Sequence, residues 1–147
     1  MPLPIDLIRQ LTEEQIAFVR RSGLKAETLD HGHVVLRMPL AGNENHIGSL
    51  YAGALFTLAE LPGGVLCLTA FDLQRFYPVV REVNLKFLRP ALSDIRVEAR
   101  LASEHLEAIQ AQAEQAGKAD FALELELTDA QGEVVARSSA VYQLRKR

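Results

Sequence analysis

Reactive and metal-binding side chains are scarce in this sequence, which has one cysteine and no tryptophan. Cys67 cannot form a disulfide within one chain, and it lies in the apolar stretch 65–68, so we expect a small core residue and not a nucleophile. His31 and His33 flank a glycine, but no third residue at metal-ligand spacing accompanies them. We expect turn histidines there and no metal.

The sequence also lacks an excess of positive charge. Its 16 Lys and Arg are outnumbered by 19 Asp and Glu, which gives a formal net charge of −3 at pH 7. A general nucleic-acid binder normally carries a basic patch and a high isoelectric point. We therefore expect no nucleic-acid partner. The basic tail 145–147 is interpreted as a solvated end, with contact to the phosphates of a nucleotide-bearing ligand as the alternative.

No leader and no clear membrane segment can be recognised. The first residues lack the basic start and apolar core of a secretory signal, so we expect a cytoplasmic protein. Residues 50–71 are apolar enough to raise the question of a membrane span. However, Glu60 lies near their centre, where a charge costs about 2.5–3.5 kcal/mol on insertion scales. Because Pro62 and two glycines also interrupt the run, we expect no membrane partner.

The pattern of apolar residues predicts an α+β fold in one domain. The 147 residues are 48% hydrophobic, enough for one substantial core. The segment 12–15 has the form of a capping box, which predicts a helix over about 13–22 ending at Gly23, after a short helix within 4–10. Another helix is predicted from Ser103, its cap, to about Ala116. Alternating apolar residues predict six strands, at 25–29, 33–40, 80–88, 95–101, 121–127 and 134–144.

The longest apolar run predicts a central helix that begins near Tyr51. Pro62, Gly63 and Gly64 should bend or end it, with a second helical piece over 65–71 and a loop over 72–78. A hairpin, a long apolar helix and four further strands then follow one another along the chain. This order fits an antiparallel sheet that wraps around one buried helix.

Glu60 is the most informative residue of the central helix, because it is the only formally charged residue between positions 45 and 71. A buried carboxylate is costly to ionise unless a neighbour stabilises the charge or a proton neutralises it. Burial should raise the pKa of Glu60 toward the working pH, which suits a general base. The bland alternative is a carboxylate that reaches solvent at a kink or pairs with a basic residue across an interface.

The start of the same helix predicts a second chemical group. Unpaired backbone N–H groups at Ala52 and Gly53 would bind an anion or a carbonyl oxygen, and Gly53 lets a ligand approach closely. Glu60 lies eight residues beyond Ala52, about 12 Å along the helix axis. One carbonyl cannot meet both groups of one helix. If both act on it, Glu60 must come from a second copy, which predicts a two-fold homodimer or a dimer of dimers.

The segment from Asn45 to Glu60 resembles the hotdog-fold thioesterases of the phenylacetate-pathway group. Their motif runs from an Asn through His-Gly-Gly to Leu-Ala-Asp, and the spacing from Asn45 to Glu60 matches it without a gap. Tyr51 and Ala52 stand in place of the His and the first Gly, and Glu60 in place of the Asp, as in the 4-hydroxybenzoyl-CoA thioesterase branch. The resemblance implies a hotdog core over 25–147 after an N-terminal helical extension over 1–24.

The resemblance implies an acyl-CoA thioesterase that needs no cofactor, with coenzyme A thioester as its substrate. Glu60 would be general base or nucleophile, and the N–H groups of Ala52 and Gly53 would form the oxyanion hole. Asn45 would orient the lytic water or bond Glu60. Tyr51 would line an acyl pocket or simply pack.

Further residues are candidates for substrate binding. Asn84 stands six residues before Pro90, as in the family's second block, whereas a hydroxyl residue of relatives is replaced by Val80. The nearest cations for the coenzyme A phosphates, and a histidine beside the helix start, complete the set: Arg81, Lys86, Arg89 and His46. Two alternatives stay open: an acyl-CoA-binding module without turnover, and a hotdog hydratase or dehydratase, against which the absence of His at position 51 argues.

Overall fold

A six-stranded antiparallel sheet packs around one long helix in the computed structural model, which describes residues 2–147. The helices are α1 (Ile5–Glu14), α2 (Ala17–Ser22), α3 (Ala52–Ala70) and α4 (Ser103–Ala116); the strands are β1 (Lys25–Asp30), β2 (His33–Met38), β3 (Phe76–Phe87), β4 (Ile95–Arg100), β5 (Lys118–Thr128) and β6 (Val134–Lys146). Their order in the sheet is β1-β2-β4-β5-β6-β3, and all neighbours are antiparallel. Because α3 packs against β2, β3, β4, β5 and β6, the predicted α+β hotdog arrangement is confirmed.

The central helix α3 is apolar on nearly all sides because the sheet covers most of its circumference. Pro62 lies inside it, and the helix continues through the two following glycines to Ala70. The expectation that this segment would end the helix is therefore wrong. By length and composition alone α3 could cross a membrane, but 61% of its apolar window is buried inside the protein. Such burial is typical of the core helix of a globular domain.

The N-terminal helices depart from the prediction in one respect. Thr12 does not cap a helix: it lies within α1, is buried, and donates from its hydroxyl to the carbonyl of Ile8 at 2.8 Å. Helix α1 ends at Glu14 and a separate short helix, α2, follows. Helix α2 ends at Gly23 as predicted, and this glycine lies in the left-handed region at φ 76°. Packing against the sheet overrides the local capping signature.

Helix α4 covers the sheet beside β5 through the predicted apolar stripe of Leu106, Ile109 and Ala113. Gly117 ends the helix as predicted. Ser103 is its first helical residue and not its cap, a place taken by Ala102. Strand β3 begins at Phe76, within the predicted loop, because Phe76 is fully buried and pairs with Lys146 of β6.

The two edge strands of the sheet, β1 and β3, differ in what covers their outer edges. On β1, the backbone of Ala26 is bonded by side chains of α1: its N–H donates to the Glu13 carboxylate at 2.9 Å, and its carbonyl accepts from Arg9. A bulge between Ala26 and Thr28 further interrupts that edge. Strand β3 is twice as long at 12 residues, and within residues 2–147 no other strand pairs with its outer edge. The helical extension therefore blocks one edge, and the other stays open.

Candidate active site

The start of α3 presents two backbone N–H groups. Within residues 2–147 no side chain caps this helix, and the N–H groups of Ala52 and Gly53 have no hydrogen-bond acceptor, whereas those of Ala54 and Leu55 donate to the carbonyl of Tyr51. Free N–H groups at a helix start carry the positive end of the helix dipole. The structure therefore provides two adjacent donors for a carbonyl oxygen or an anion, at the predicted residues.

The Tyr51 side chain lies directly against this helix start. A Cβ on Gly53 would come within 2.5 Å of the Tyr51 ring, so only glycine allows the ring to fold over the first helical turn. The residue Tyr51 is nevertheless 58% exposed. Tyr51 therefore forms a wall beside the two free N–H groups and does not belong to the core.

The loop before α3 is held in shape by the side chain of Asn45. Its amide oxygen accepts from the N–H groups of Ile47 at 3.0 Å and Ser49 at 3.1 Å, and its amide nitrogen donates to the Ser49 hydroxyl at 2.8 Å. In the chain from residue 2 to residue 147 it makes no hydrogen bond to Glu60. Because an amide nitrogen has two donors, one N–H of Asn45 remains for a ligand.

A cavity of about 280 Å³ opens on one side of the helix start. Asn45, Ala52, Phe87 and Arg89 are among its lining residues, so the structure brings three of the predicted site residues to one place. The Arg89 guanidinium is exposed and lies 2.7 Å from the Glu133 carboxylate. This cavity therefore combines a free helix start, an apolar wall and a cation at its rim.

A second cavity, of about 240 Å³, lies on the other side of Tyr51. It is bounded by α2, through Phe18 and Arg21, and by the loop residues Asn43 and Glu44. The sequence analysis identified none of these four as site residues, because their signal was an ordinary amphipathic helix and a polar loop. The N-terminal extension thus contributes a wall beside the helix start.

Glu60 is half-buried on the face of α3 that the sheet leaves uncovered. In the described part of the chain no hydrogen bond or ion pair reaches its carboxylate. Burial raises the pKa of Glu60 above its usual range, as the sequence predicted. A carboxylate without a neutralising neighbour, in a partly apolar setting, has the properties of a general base.

The surroundings of Glu60 form an uncovered apolar face. On α3, Gly53, Phe56, Glu60 and Gly64 follow one another at helical spacing, and Phe56 is exposed. On β3, Val80 and Phe87 pair with the buried Tyr142 and Ala136, so their side chains point to the same side of the sheet as α3. They are nevertheless 44% and 55% exposed. We call this surface, made of Phe56, Glu60, Val80 and Phe87, the open face.

The remaining predicted binding residues lie elsewhere. Asn84 and Lys86 pair with the exposed Ser139 and Arg137 and line a cavity on the outer face of the sheet, away from α3. The structure therefore does not bring them to the helix start, and their role in substrate binding stays a prediction without support from this geometry. His46 is exposed in the loop before α3. Arg81 lies 3.0 Å from Asp120 in an ion pair.

Nucleophiles and metal ligands are also placed by the structure. Cys67 is buried inside α3, and this burial raises the pKa of its thiol to about 12, which disfavours the reactive thiolate. Among residues 2–147 no group of three His, Cys, Asp or Glu side chains is placed to hold a metal ion.

Similar proteins agree with this architecture. Residues 6–144 match the family model described as domain of unknown function DUF4442. A Pseudomonas aeruginosa structure, PA5026, described as a protein of unknown function and probable thioesterase, is 66% identical, with 100% of this chain and 99% of that chain covered and a TM-score of 0.95.

More distant structures share the fold. The OLEI01261 protein of Chlorobaculum tepidum, described as of unknown function, is 22% identical over 97% of this chain and 94% of that chain, with a TM-score of 0.83. The thioesterase HI1161 of Haemophilus influenzae is 14% identical over 99% and 93%, with a TM-score of 0.74. No curated protein sequence matches the chain. The chain belongs to the DUF4442 family and has the hotdog fold of the thioesterase superfamily.

Proposed function

We propose that this protein is a thioesterase that hydrolyses acyl-CoA thioesters in a site shared between two copies of the chain. The observation that carries the proposal is the pair of free N–H groups at Ala52 and Gly53 together with an unpartnered, half-buried Glu60. The reaction class is supported by the 66% identical relative, which is described as a probable thioesterase. Both groups are those that thioester hydrolysis requires: an oxyanion hole and a carboxylate.

The chemistry has two possible routes through Glu60. As a general base, the ionised carboxylate takes a proton from water, whose oxygen attacks the thioester carbonyl carbon while the N–H groups of Ala52 and Gly53 bind the resulting oxyanion. The C–S bond then breaks, and the carboxyl returns the proton to the departing coenzyme A thiolate. As a nucleophile, Glu60 itself attacks the carbonyl carbon, and the C–S bond breaks to release the thiolate. Water then hydrolyses the mixed anhydride to the free acid and the Glu60 carboxylate, and the proton released goes to the thiolate.

The second copy is needed because the two groups are about 12 Å apart on one helix. The open face and the unpaired edge of β3 support a two-fold association in which each copy covers the other's open face. Glu60 of one copy then approaches the helix start of the other. The same surface supports the homodimer as the unit of activity, and a dimer of dimers is compatible with it.

The substrate's two ends have different surfaces available. In the proposed complex Arg89, which lines the 280 Å³ cavity, binds a coenzyme A phosphate. The 240 Å³ cavity beside Tyr51 and Phe18 is placed to take part of the acyl group. No cofactor and no metal is part of this proposal.

Hydrolysis of a panel of acyl-CoA thioesters, followed by thiol release, tests the proposal. We expect Glu60→Gln to lower kcat by about 10²–10⁴-fold, the usual contribution of a positioned acid or base. Glu107→Gln, an exposed carboxylate on α4, is the matched control and should leave kcat unchanged. Because burial raises the pKa of Glu60, kcat of the wild type should rise with pH through a value above that of an ordinary glutamate.

Two further outcomes separate the alternatives. Rapid-quench mass spectrometry would detect an acyl group bound to Glu60 only in the nucleophilic route. If wild type and Glu60→Gln bind acyl-CoA equally well and neither hydrolyses any thioester, the protein is a binding module and the proposed activity is wrong.

A further inference from the structure

The side chain of Tyr142, on β6, reaches the backbone of α3 next to Glu60. Its hydroxyl donates to the carbonyl of Glu60 at 2.8 Å and lies 3.4 Å from the carbonyl of Ala59. Tyr142 is 1% exposed, and its ring stacks on Phe121 with centroids 5.4 Å apart. A rigidly held phenol therefore contacts the main chain of the residue that carries the carboxylate.

Helix α3 has a glycine, Gly63, where the Tyr142 ring packs against it. A Cβ on Gly63 would come within 2.1 Å of the Tyr142 ring, so the ring occupies the space that any larger residue would need. Pro62, immediately before it, has no N–H to donate to the carbonyl four residues earlier. A side chain that inserts beside the main-chain hydrogen bonds of a helix is a recognised cause of a local bend. Tyr142 thus meets α3 at a turn that lacks one main-chain hydrogen-bond donor.

The phenol also lies within electrostatic reach of the carboxylate. The pKa of the Tyr142 hydroxyl is raised by burial first and by the negative charge of Glu60 second, while a hydrogen bond from the Gly63 backbone N–H acts in the opposite direction. The main-chain contact and the charge effect involve the same helical turn, 59–63.

We propose that Tyr142 is a positioning residue: through its hydrogen bond to the Glu60 carbonyl and its packing on Gly63, it sets the orientation in which α3 presents the Glu60 carboxylate. This inference rests on the proposed function of Glu60. Tyr142 itself lies in the core and touches no substrate. Its effect on catalysis passes through the helix that carries Glu60.

Tyr142→Phe tests the proposal, because it removes the hydroxyl and keeps the ring against Gly63 and Phe121. Misplacing a catalytic group by about 1 Å can cost a factor of about 100. We therefore expect kcat to fall by about 10- to 100-fold with KM unchanged within about two-fold, since the cavities beside the helix start are not altered. Tyr77→Phe is the matched control: the Tyr77 ring lies against Arg147, and within residues 2–147 its hydroxyl makes no hydrogen bond to α3, so this variant should keep the wild-type kcat.

A second variant approaches the same contact from the helix. Gly63→Ala places a methyl group where the Tyr142 ring lies, so it should displace the ring or the helix and lower kcat in the same way. If Tyr142→Phe and Gly63→Ala both keep the wild-type kcat, or lower kcat/KM only through KM, the proposal is wrong.

Crystal structures of the variants give a result that does not depend on activity. We expect the Glu60 carboxyl in Tyr142→Phe to move by about 1 Å or more, or to occupy several conformers. An unchanged Glu60 position would refute the positioning role even if the wild type hydrolysed thioesters. Conversely, a displaced Glu60 in a protein without thioesterase activity would uphold the positioning role and refute the proposed function.

Discussion

The two edge strands of the sheet, β1 and β3, differ in whether their unpaired backbone groups are covered. An edge strand presents unpaired N–H and C=O groups that invite pairing with another chain. On β1, Arg9 and Glu13 of α1 bond both backbone groups of Ala26. On β3, no strand of residues 2–147 pairs with the outer edge, which is 12 residues long, and the inward-facing Val80 and Phe87 are about half exposed. Helix α1 thus satisfies one edge within the chain, whereas the unpaired groups of β3 are available to the second copy proposed above.

We expect the largest effect from placing positive charges on the open face. The double variant Val80→Lys and Phe87→Lys should weaken the proposed homodimer by about 100-fold or more. Each buried apolar side chain contributes up to about 1.5–3 kcal/mol, a two-fold interface contains each residue twice, and about 1.4 kcal/mol corresponds to a factor of ten. Analytical ultracentrifugation across a micromolar concentration range measures the change, and thioesterase activity should fall with the dimer fraction.

A matched pair on the other side of the molecule controls for added charge. Ile5 and Ile16 lie on the N-terminal helical segment and are about half exposed, as Val80 and Phe87 are. Ile5→Lys with Ile16→Lys should leave the association unchanged. If the β3 variant dimerises as well as this control, the open face is not the interface, and the shared site must be abandoned.

The next largest effect is expected at the covered edge. Glu13→Ala removes the acceptor of the Ala26 N–H, which is nearly buried, and also the ion pairs to Arg9 and Lys25 at 3.6 Å. An unsatisfied buried donor costs about 1–3 kcal/mol. A loss of 1 kcal/mol lowers Tm by about 2–4 °C for a chain of this size, so we expect the Tm of Glu13→Ala to be several degrees lower.

Glu14→Ala, the neighbouring exposed position, is its control and should shift Tm little. The dimerisation constant should stay the same in both variants, because α1 covers the edge opposite the proposed interface. A lower Tm accompanied by weaker dimerisation would contradict the separate roles of the two edges.

The smallest effect concerns the charge within the open face. Because burial raises the pKa of Glu60, the folded chain holds this proton more tightly than the unfolded chain. Wild-type stability should therefore fall as pH rises from the ordinary glutamate pKa, about 4.3, through the raised value. Glu60→Gln lacks this loss and should be the more stable protein at pH 8, with the difference shrinking below about pH 4.

Chemical unfolding of wild type and Glu60→Gln at both pH values measures this difference. Equal stability of the two proteins at pH 8 would mean that another group, supplied on association, compensates the charge. Repeating the measurement on the Val80→Lys, Phe87→Lys variant separates these cases, since the isolated copy has no such compensation.

Much of the fold follows from periodicity. Alternating apolar residues predicted all six strands, because one face of the sheet is buried against α3 and the other is solvated. Local signatures did less well. The capping-box pattern at Thr12 was outweighed by burial of that residue within α1. Pro62 did not end α3, because the sheet packs around most of the helix and holds it together. Local chemistry sets preferences, and tertiary packing decides between them.

The site was predictable where it depends on one helix and not where it depends on the assembly of strands. The free N–H groups at Ala52 and Gly53 follow from helix geometry, and the raised pKa of Glu60 from its apolar surroundings. Asn84 and Lys86 were predicted to bind substrate, but a single sequence does not tell which face of the sheet the helix start will meet. The contact of Tyr142 with Glu60 joins residues 82 positions apart, so no local sequence pattern predicts it.

The buried Cys67 has a practical use. Burial raises the pKa of its thiol to about 12, so the one cysteine of the sequence should react little with maleimide and spin-label reagents at neutral pH. A cysteine introduced at an exposed position, such as Leu92→Cys, would then be the sole labelled site in each copy. Distances between two such labels, measured by pulsed electron paramagnetic resonance, would report the geometry of the assembled protein in solution without any need to rebuild its core.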